Sequence, residues 1–228
     1  MTDALPSAVL WDMDGTLVDT EPYWMRAESE LIGSWGGTWT EQDGLSVVGF
    51  GLPDAAKVFQ SHGVDLPVEQ IIQTLTDRVI ELTRVEVPYR EGALDLLRAV
   101  RAAGIPTGLV TMSYRDFADV VIAAIGPELF DVTVTGDEVA ATKPDPAPYL
   151  RGAELLGVDA RTAVAVEDSR PGVASAVASG AAVIAVPLHV QLPESPDYAL
   201  WDGFAGRGLD DLLAVHASRA ARTSGGVA

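Results

Sequence analysis

The sequence predicts an α/β fold, in which a Rossmann-like parallel sheet is flanked by helices and a helical cap is inserted after the first strand. Three observations support this: short apolar runs alternate with helix-like segments, glycines follow the ends of those segments, and one helix-rich stretch near the N-terminus interrupts the alternation. Such alternation is typical of a parallel sheet wrapped by helices. A chain of 228 residues, 48% hydrophobic, is long enough to bury the core of this fold.

Apolar runs predict five strands. The first, residues 8–12, ends abruptly in acid and glycine, as a buried parallel strand does at the edge of its sheet. The other four are residues 107–111, 132–135, 162–166 and 182–186. The helices expected between them cover residues 91–103, 115–125, 147–156 and 171–179. A glycine stands just past each helix end, where a left-handed capping residue is favoured.

Residues 20–88 break this rhythm. They contain three helix-like segments, residues 23–32, 53–62 and 68–85, and no central strand. We therefore expect a cap domain over residues 20–88 and a core domain formed by residues 1–19 and 89–228. Because the insertion leaves the core directly after the first strand, the cap is expected above the carboxyl ends of the strands, where open α/β sheets bind ligands.

Composition excludes several classes of function. A formal charge of −18 and a pI near 4.3 repel other polyanions, so neither nucleic acid nor an anionic membrane is expected as a partner. The absence of cysteine excludes disulfides, thiolate-bound zinc and a cysteine nucleophile. With no basic leader and no apolar run of the ~20 residues that a membrane span needs, we expect a cytoplasmic protein. We also expect a monomer or a weak homodimer.

Two pairs of acids follow predicted strands. Asp12 and Asp14 share one face of an extended segment, and Gly15 then allows a sharp turn. Glu167 and Asp168 directly follow the fourth strand, and parallel strands deliver the residues at their ends to one sheet edge. An isolated Asp-x-Asp-Gly is typical of an acidic turn, but acids gathered at one edge repel unless a cation separates them. A hard ion such as Mg²⁺ prefers these oxygen ligands.

Two further segments fit a site for phosphate. Lys143 follows the third strand and is one of only two lysines in the chain, so it can hold Asp12 and phosphate oxygens together by charge. Thr111 and Met112 end the second strand, where a hydroxyl and backbone amides can bind a phosphate oxygen. The cations that an anionic substrate needs are thus predicted to be local, despite the acidic chain.

In this order, the four segments resemble the four motifs of haloacid dehalogenase superfamily hydrolases. The first is Asp12-Met13-Asp14-Gly15-Thr16, and the last runs from Val166 to Gly180. The position of the insertion is similar to that of the helical cap in β-phosphoglucomutases and sugar-phosphate phosphatases. The resemblance covers nearly the whole chain.

The resemblance implies a role for each residue. Asp12 would be the nucleophile and a metal ligand, and Asp14 would be the acid and base that also gives its backbone carbonyl to Mg²⁺. Thr111, Met112 and Lys143 would hold the phosphoryl group. Asp168 would complete the metal site, with Glu167 beside it. The expected activity is Mg²⁺-dependent hydrolysis of a small sugar or polyol phosphate through an aspartyl phosphate.

Departures from the family pattern separate the alternatives. Asp14 argues against a dehalogenase, which attacks carbon without the metal. Trp24 stands where β-phosphoglucomutases have a histidine, and residues 49–52 lack the arginine of their cap, so a mutase, which must hold a bisphosphate, remains only an alternative. Lys57 is the sole candidate for the Schiff-base lysine of a phosphonatase, but its setting fits a helix edge.

A non-catalytic protein that binds a phosphometabolite is a further alternative, since such a protein could discard its nucleophile. Retention of both acid pairs and Lys143 argues against it, because buried charges of this kind are favoured where a site uses them. For substrate contacts in the flap and cap we select Thr20, Trp24, Gly49 and Phe50. The histidines lie outside all four motifs, so we assign them no catalytic role.

Overall fold

The computed structural model describes residues 5–225, with side chains through residue 221. Its sheet comprises β1 (Val9–Trp11), β2 (Thr107–Val110), β3 (Val132–Val134), β4 (Val164–Glu167), β5 (Ala182–Ala185) and β6 (Tyr198–Leu200). The strands lie in the order β3-β2-β1-β4-β5-β6, and every neighbouring pair is parallel. The predicted α/β fold with a Rossmann-like parallel sheet is therefore confirmed.

The central strand, β1, determines where the site lies. All three of its residues are buried, as expected for a strand covered by helices on both faces. Trp11 pairs with Leu109 of β2 and with Val166 of β4, so the three strands end at the same level. The next residue, Asp12, therefore emerges between the carboxyl ends of β2 and β4.

Four helices lie between β1 and β2 in the chain: α1 (Glu21–Ser34), α2 (Glu41–Val47), α3 (Leu52–Ser61) and α4 (Val68–Val85). Five more cover the sheet: α5 (Ala93–Ala102), α6 (Arg115–Ile125), α7 (Ala147–Leu155), α8 (Arg170–Ala178) and α9 (Leu209–Gly225). Within the described residues, no helix is both long and apolar enough to cross a bilayer.

The short helix α2 was not predicted, although the sequence contains its start signal. Thr40 and Asp43 form a capping box: Asp43 donates its N–H to the Thr40 hydroxyl over 3.2 Å and accepts the Thr40 N–H over 2.8 Å. Such reciprocal bonds satisfy N–H groups that a helix start leaves without partners. Gly44 and the small number of apolar residues conceal this helix from a search for periodicity.

Two strand assignments also differ from prediction. The edge strand β6 was missed because its three residues are only half-buried and show no clear alternation. The strand predicted at residues 162–166 begins two residues later, since Thr162 closes a turn by donating its hydroxyl to the Asp159 carbonyl over 2.8 Å. It extends through Glu167, whose backbone pairs with Ala185 of β5.

The chain enters and leaves the helical insertion along two adjacent segments. Asp19 donates its backbone N–H to the Pro88 carbonyl over 2.7 Å, and Arg90 donates its N–H to the Leu17 carbonyl over 3.0 Å. We therefore propose the domain division expected from the sequence, with the cap over residues 20–88. The buried side chains of this cap are continuous with the apolar cluster on one face of the sheet, including Phe117 of α6.

Candidate active site

A cavity lies between the carboxyl edge of the sheet and the cap, with about 660 Å³ of space free of protein atoms. The core contributes Asp12, Asp14, Thr111, Met112, Ser113, Lys143, Asp168 and Ser169 to its lining. The cap contributes Glu21, Trp24, Glu28, Val47, Val48, Gly49, Phe50, Leu52 and Ala55. Of the residues predicted for the site, only Glu167 and Thr20 lie outside this lining.

Lys143 is the centre of a buried ion-pair network. Its ammonium donates to Asp12 Oδ1 over 2.7 Å, to Glu167 Oε1 over 2.6 Å and to the Val110 carbonyl over 2.9 Å. The lysine side chain is only 3% exposed. Burial acts to lower the pKa of Lys143, but the charges of Asp12 and Glu167 outweigh it and raise that pKa above its ordinary value. The lysine is thus a fixed positive charge beside Asp12.

Glu167 is bound on both oxygens. Oε1 accepts from Lys143 and from the Tyr149 hydroxyl over 3.1 Å, while Oε2 accepts the backbone N–H groups of Asp168 and Ser169 over 2.9 and 3.1 Å. A Cβ on Gly172 would lie 1.8 Å from Oε1, so only glycine lets α8 approach this carboxylate. These contacts indicate that Glu167 mainly orients Lys143.

Three acidic residues form a cluster that fits a divalent cation. One carboxylate oxygen each from Asp12, Glu167 and Asp168 lie within 4.8 Å of one another, and all three residues are buried. Oδ2 of Asp12 is buried without a hydrogen-bond partner among the described residues. Such an unpaired buried oxygen is expected to have a ligand, and the carboxylate oxygens grouped around it match the preference of Mg²⁺.

Burial shifts the pKa values of the cluster. Burial, opposed by Lys143, raises the pKa of Asp12 to about 7. Burial and the nearby carboxylates of Asp12 and Glu167 raise the pKa of Asp168 well above its usual range. Gly15 allows the close approach, since a Cβ there would lie 2.1 Å from Asp168 and its φ is +80°. The acids are crowded enough to require a cation or a proton between them.

Asp14 accepts four hydrogen bonds. Thr20 and Trp24 donate to Oδ1 over 2.5 and 3.2 Å, and Thr111 and Ser113 donate to Oδ2 over 3.3 and 2.7 Å. The first two donors come from the start of the cap and the other two from the end of β2. The carboxylate therefore has a fixed orientation at the boundary between cap and core.

The residues predicted to bind phosphate or substrate have mixed environments. Met112 is buried and its sulfur accepts the Lys143 backbone N–H over 3.4 Å, so its side chain supports the lysine loop. Thr20 and Trp24 use their polar hydrogens on Asp14. Phe50 lines the cavity and is 45% exposed. Gly49 lies against Ser169 and Pro171 of the core, where a Cβ would come within 2.9 Å of the serine.

The sequence analysis did not select four residues that the structure brings to this region. Ser113 binds Asp14, and Glu21 and Glu28 line the cap side of the cavity. Arg90 is buried and donates Nη1 to the carbonyls of Gly15 and Val186 over 2.6 and 2.7 Å. The position of Ser113 two residues after Thr111 was the one available signal, since the cap contacts depend on how helices pack.

His189 also contacts this region without entering the cavity. Its Nε2 lies 2.5 Å from Oδ1 of Asp19, just before the cap begins. Lys57, the candidate Schiff-base residue, is exposed at the surface and pairs with Asp54 over 2.8 Å. Neither side chain lines the cavity within the part of the chain that the structure describes.

A Rossmann-like sheet that presents a buried aspartate, a fixed lysine and a second acid pair beneath a cap defines a hydrolase of the haloacid dehalogenase type. A family model described as haloacid dehalogenase-like hydrolase matches residues 6–180. The chain belongs to this family, as predicted from its four motifs.

Similar proteins agree with this assignment. Hexitol phosphatase A from Escherichia coli is 35% identical over 202 residues, which cover 81% of this chain and 84% of the relative. CbbY from Rhodobacter sphaeroides, solved with xylulose-(1,5)bisphosphate, has a TM-score of 0.84 and 30% identity, covering 91% of this chain and 99% of that one. β-Phosphoglucomutase from Clostridium difficile has a TM-score of 0.85, and the match covers 96% of this chain and 100% of that one. Because the two chains are only 17% identical, this similarity supports the fold alone. The predicted enzyme class, a phosphatase, is consistent with these relatives.

Proposed function

We propose that this protein is a magnesium-dependent phosphomonoesterase that hydrolyses a small sugar or polyol phosphate through phosphorylation of Asp12. The observation that carries the proposal is the state of the Asp12 carboxylate. One of its oxygens is bound to Lys143 and the other has no partner among the described residues, although the residue is only 6% exposed. A buried carboxylate next to a fixed cation is suited to attack a phosphate ester.

Mg²⁺ would be held by the carboxylates of Asp12 and Asp168, together with the backbone carbonyl of Asp14. When bound, it would neutralise charge on the phosphoryl oxygens. The fit rests on the unpaired oxygen of Asp12 and on the excess of carboxylates over the single ammonium of Lys143.

The residues divide the reaction into two steps. Asp12 attacks phosphorus while the bond to the leaving oxygen breaks, and Asp14 gives a proton to that oxygen. Water then attacks the phosphorylated Asp12 and passes a proton to Asp14, and the Asp12–phosphorus bond breaks to release phosphate. Lys143 and the Thr111 hydroxyl would hold phosphoryl oxygens. The donors from Thr20, Trp24 and Ser113 keep the carboxyl group of Asp14 aimed in both steps.

A mutase is less well supported. A mutase has to bind a bisphosphate, and among the described residues Lys143 is the only basic side chain that lines the cavity. Trp24, which stands in the place of the family's histidine, donates to Asp14 and offers no positive charge. Hydrolysis of a monophosphate is the function that the charge distribution favours.

Release of phosphate from p-nitrophenyl phosphate tests the proposal. We expect activity with Mg²⁺, loss of activity with a chelator, and loss of at least about 10³-fold in Asp12→Asn. Asp54→Asn, at an exposed cap residue, is the control and should match the original chain. Activity that survives Asp12→Asn would contradict the nucleophile, and activity unaffected by the chelator would contradict the metal. A chain that is folded but inactive on phosphate esters would favour the non-catalytic alternative.

A further inference from the structure

Two carboxyl groups of the cap face the cavity and have no role in the steps above. Glu21 begins α1, and Glu28 follows seven positions later, about two helical turns along the same face. Both line the cavity with the catalytic acids of the core. In the described part of the chain, Glu30 of α1 pairs with arginines, whereas no ion pair is found for Glu21 or Glu28.

Glu28 has a free acceptor oxygen inside the cavity. The residue is only 6% exposed, and its Oε2 accepts the indole N–H of Trp39 over 2.9 Å. Its Oε1 accepts no hydrogen bond from any residue between 5 and 225 that the structure describes. Oε1 is not one of the fully buried unpaired oxygens, so it keeps accessible surface and can accept a hydrogen bond from a ligand in the cavity that Glu28 lines.

The surrounding charges restrict what that ligand can be. The Lys143 ammonium is paired with Asp12 and Glu167 on the core side, so it does not offset an additional anion on the cap side. A second phosphate or a carboxylate at the cap side would lie among Glu21, Glu28 and Asp14 with no cation beside it. Burying an anion in such a place is strongly unfavourable.

Most of the other cap residues that line the pocket are apolar. These residues are Val47, Val48, Phe50, Leu52 and Ala55. A carbon chain bearing hydroxyl groups has C–H surface for such a wall and O–H donors for the carboxyl groups. The carboxyl groups and the apolar lining together therefore complement an uncharged polyhydroxylated chain.

We propose that Glu28, assisted by Glu21, forms a leaving-group subsite that accepts hydrogen bonds from the hydroxyls of a polyol or sugar monophosphate and excludes bisphosphates. This inference rests on the proposed function for the nature of the substrate. It distinguishes this chain from CbbY, whose structure was solved with a bisphosphate.

Binding is measured in the Asp12→Asn background, where turnover is blocked and affinity does not depend on catalysis. Isothermal titration with Mg²⁺ present compares sorbitol 6-phosphate, fructose 6-phosphate and fructose 1,6-bisphosphate. We expect the two monophosphates to bind at least about tenfold more tightly than the bisphosphate. When Glu28→Gln is added, we expect the affinity for sorbitol 6-phosphate to fall about tenfold relative to the affinity for inorganic phosphate. The difference in affinity between the monophosphates and the bisphosphate should also become smaller.

Glu41→Gln, at an exposed residue of α2, is the matched control and should leave all affinities as they are. Glu21→Gln serves as a second variant should Glu28→Gln unfold, which thermal unfolding reports. Equal binding of bisphosphate and monophosphate, tighter binding of glucosamine 6-phosphate than of fructose 6-phosphate, or affinities unmoved by Glu28→Gln and Glu21→Gln would overturn the inference. The proposed function is tested separately: if the original chain does not hydrolyse p-nitrophenyl phosphate, the proposed function is wrong.

Discussion

The indole N–H of Trp24 donates to Oδ1 of Asp14 over 3.2 Å. Trp24 is 7% exposed and packs edge-on against Phe117 of α6, with ring centroids 5.7 Å apart. The cap thereby supplies one of the donors that orient the proposed acid and base. Its contribution ends if this part of α1 moves away from the core.

Trp24→Phe keeps the ring packing but removes this donor. We expect kcat for p-nitrophenyl phosphate to fall about 3- to 10-fold, because the carboxyl group of Asp14 loses one of its orienting bonds. Trp24→His retains a ring N–H, so its kcat should fall less than that of Trp24→Phe. Trp35→Phe, at a 42% exposed position just past α1, is the control. Equal kcat values for Trp24→Phe and Trp35→Phe would refute a positioning role for Trp24.

Gly49 is predicted to be needed for closure of the cap. It has a φ of +79°, and a Cβ would lie 2.8 to 2.9 Å from Pro171 and Ser169 of the core. Gly36 has nearly the same φ, +77°, but no atom within 4 Å of the added Cβ. Both substitutions to alanine strain the backbone, by roughly 1 kcal/mol. Only Gly49→Ala should also lower kcat/KM, by about tenfold, in steady-state assays. Comparable kinetics for Gly49→Ala and Gly36→Ala would contradict a role for the Gly49 contact in closure of the cap.

Lys143→Met leaves the carboxylates of Asp12 and Glu167 buried without their shared cation. We expect the free energy of unfolding to fall by about 3–5 kcal/mol in the metal-free protein, as when one partner of a buried ion pair is removed. Hydrolysis should fall at least about 10³-fold. The control, Lys57→Met, removes the other lysine, which is exposed and paired only with Asp54. Urea unfolding and p-nitrophenyl phosphate assays check both effects, and a variant as stable as the control would contradict the importance of this network.

Glu28 makes stability depend on pH. Burial raises its pKa from 4.5 to about 7, so the folded state holds the proton more tightly than the unfolded state does. Stability is therefore lost as pH rises from about 4.5 to 7. Glu28→Gln removes the contribution of this residue to the pH dependence. The free energy of unfolding of the variant, relative to that of the original chain, should therefore rise by roughly 2–3 kcal/mol between pH 5 and pH 8. Urea unfolding at the two pH values measures this difference in the free energy of unfolding, and Glu41→Gln is the control, for which the difference should not change with pH. If the difference for Glu28→Gln is the same at pH 5 and pH 8, the pKa of Glu28 is not raised by folding.

The sequence predicted the core of the fold because its information is local. Apolar runs ending in Asp12, Thr111 and Asp168 specify buried strands, and the parallel register then brings these residues together without further assumptions. Lys143 could be selected because lysine is so rare in this chain. In the same way, the helices α5 to α8 were located within about two residues of their observed ends, whereas α9 was not predicted.

What lies above the sheet was not predictable in this way. The contacts of Trp24, Glu28 and Phe50 depend on how cap helices pack on one another and on the core, which periodicity does not determine. Trp24 was selected for the substrate, yet its polar atom contacts Asp14. Glu28 was overlooked because an acid on a helix is ordinarily solvated, and only the packing of Trp39 against it reveals its burial.

The contacts of Arg90 and His189 constrain how this enzyme could open. Arg90 donates hydrogen bonds to the carbonyls of both Gly15 and Val186, and the His189 ring is hydrogen-bonded to the Asp19 carboxylate. The turn after Asp12 is thus anchored to the loop beyond β5 at two points. A hinge for cap motion would therefore fall after Asp19, so that the lid could swing to exchange substrate and product while the acids at the sheet edge stay in register.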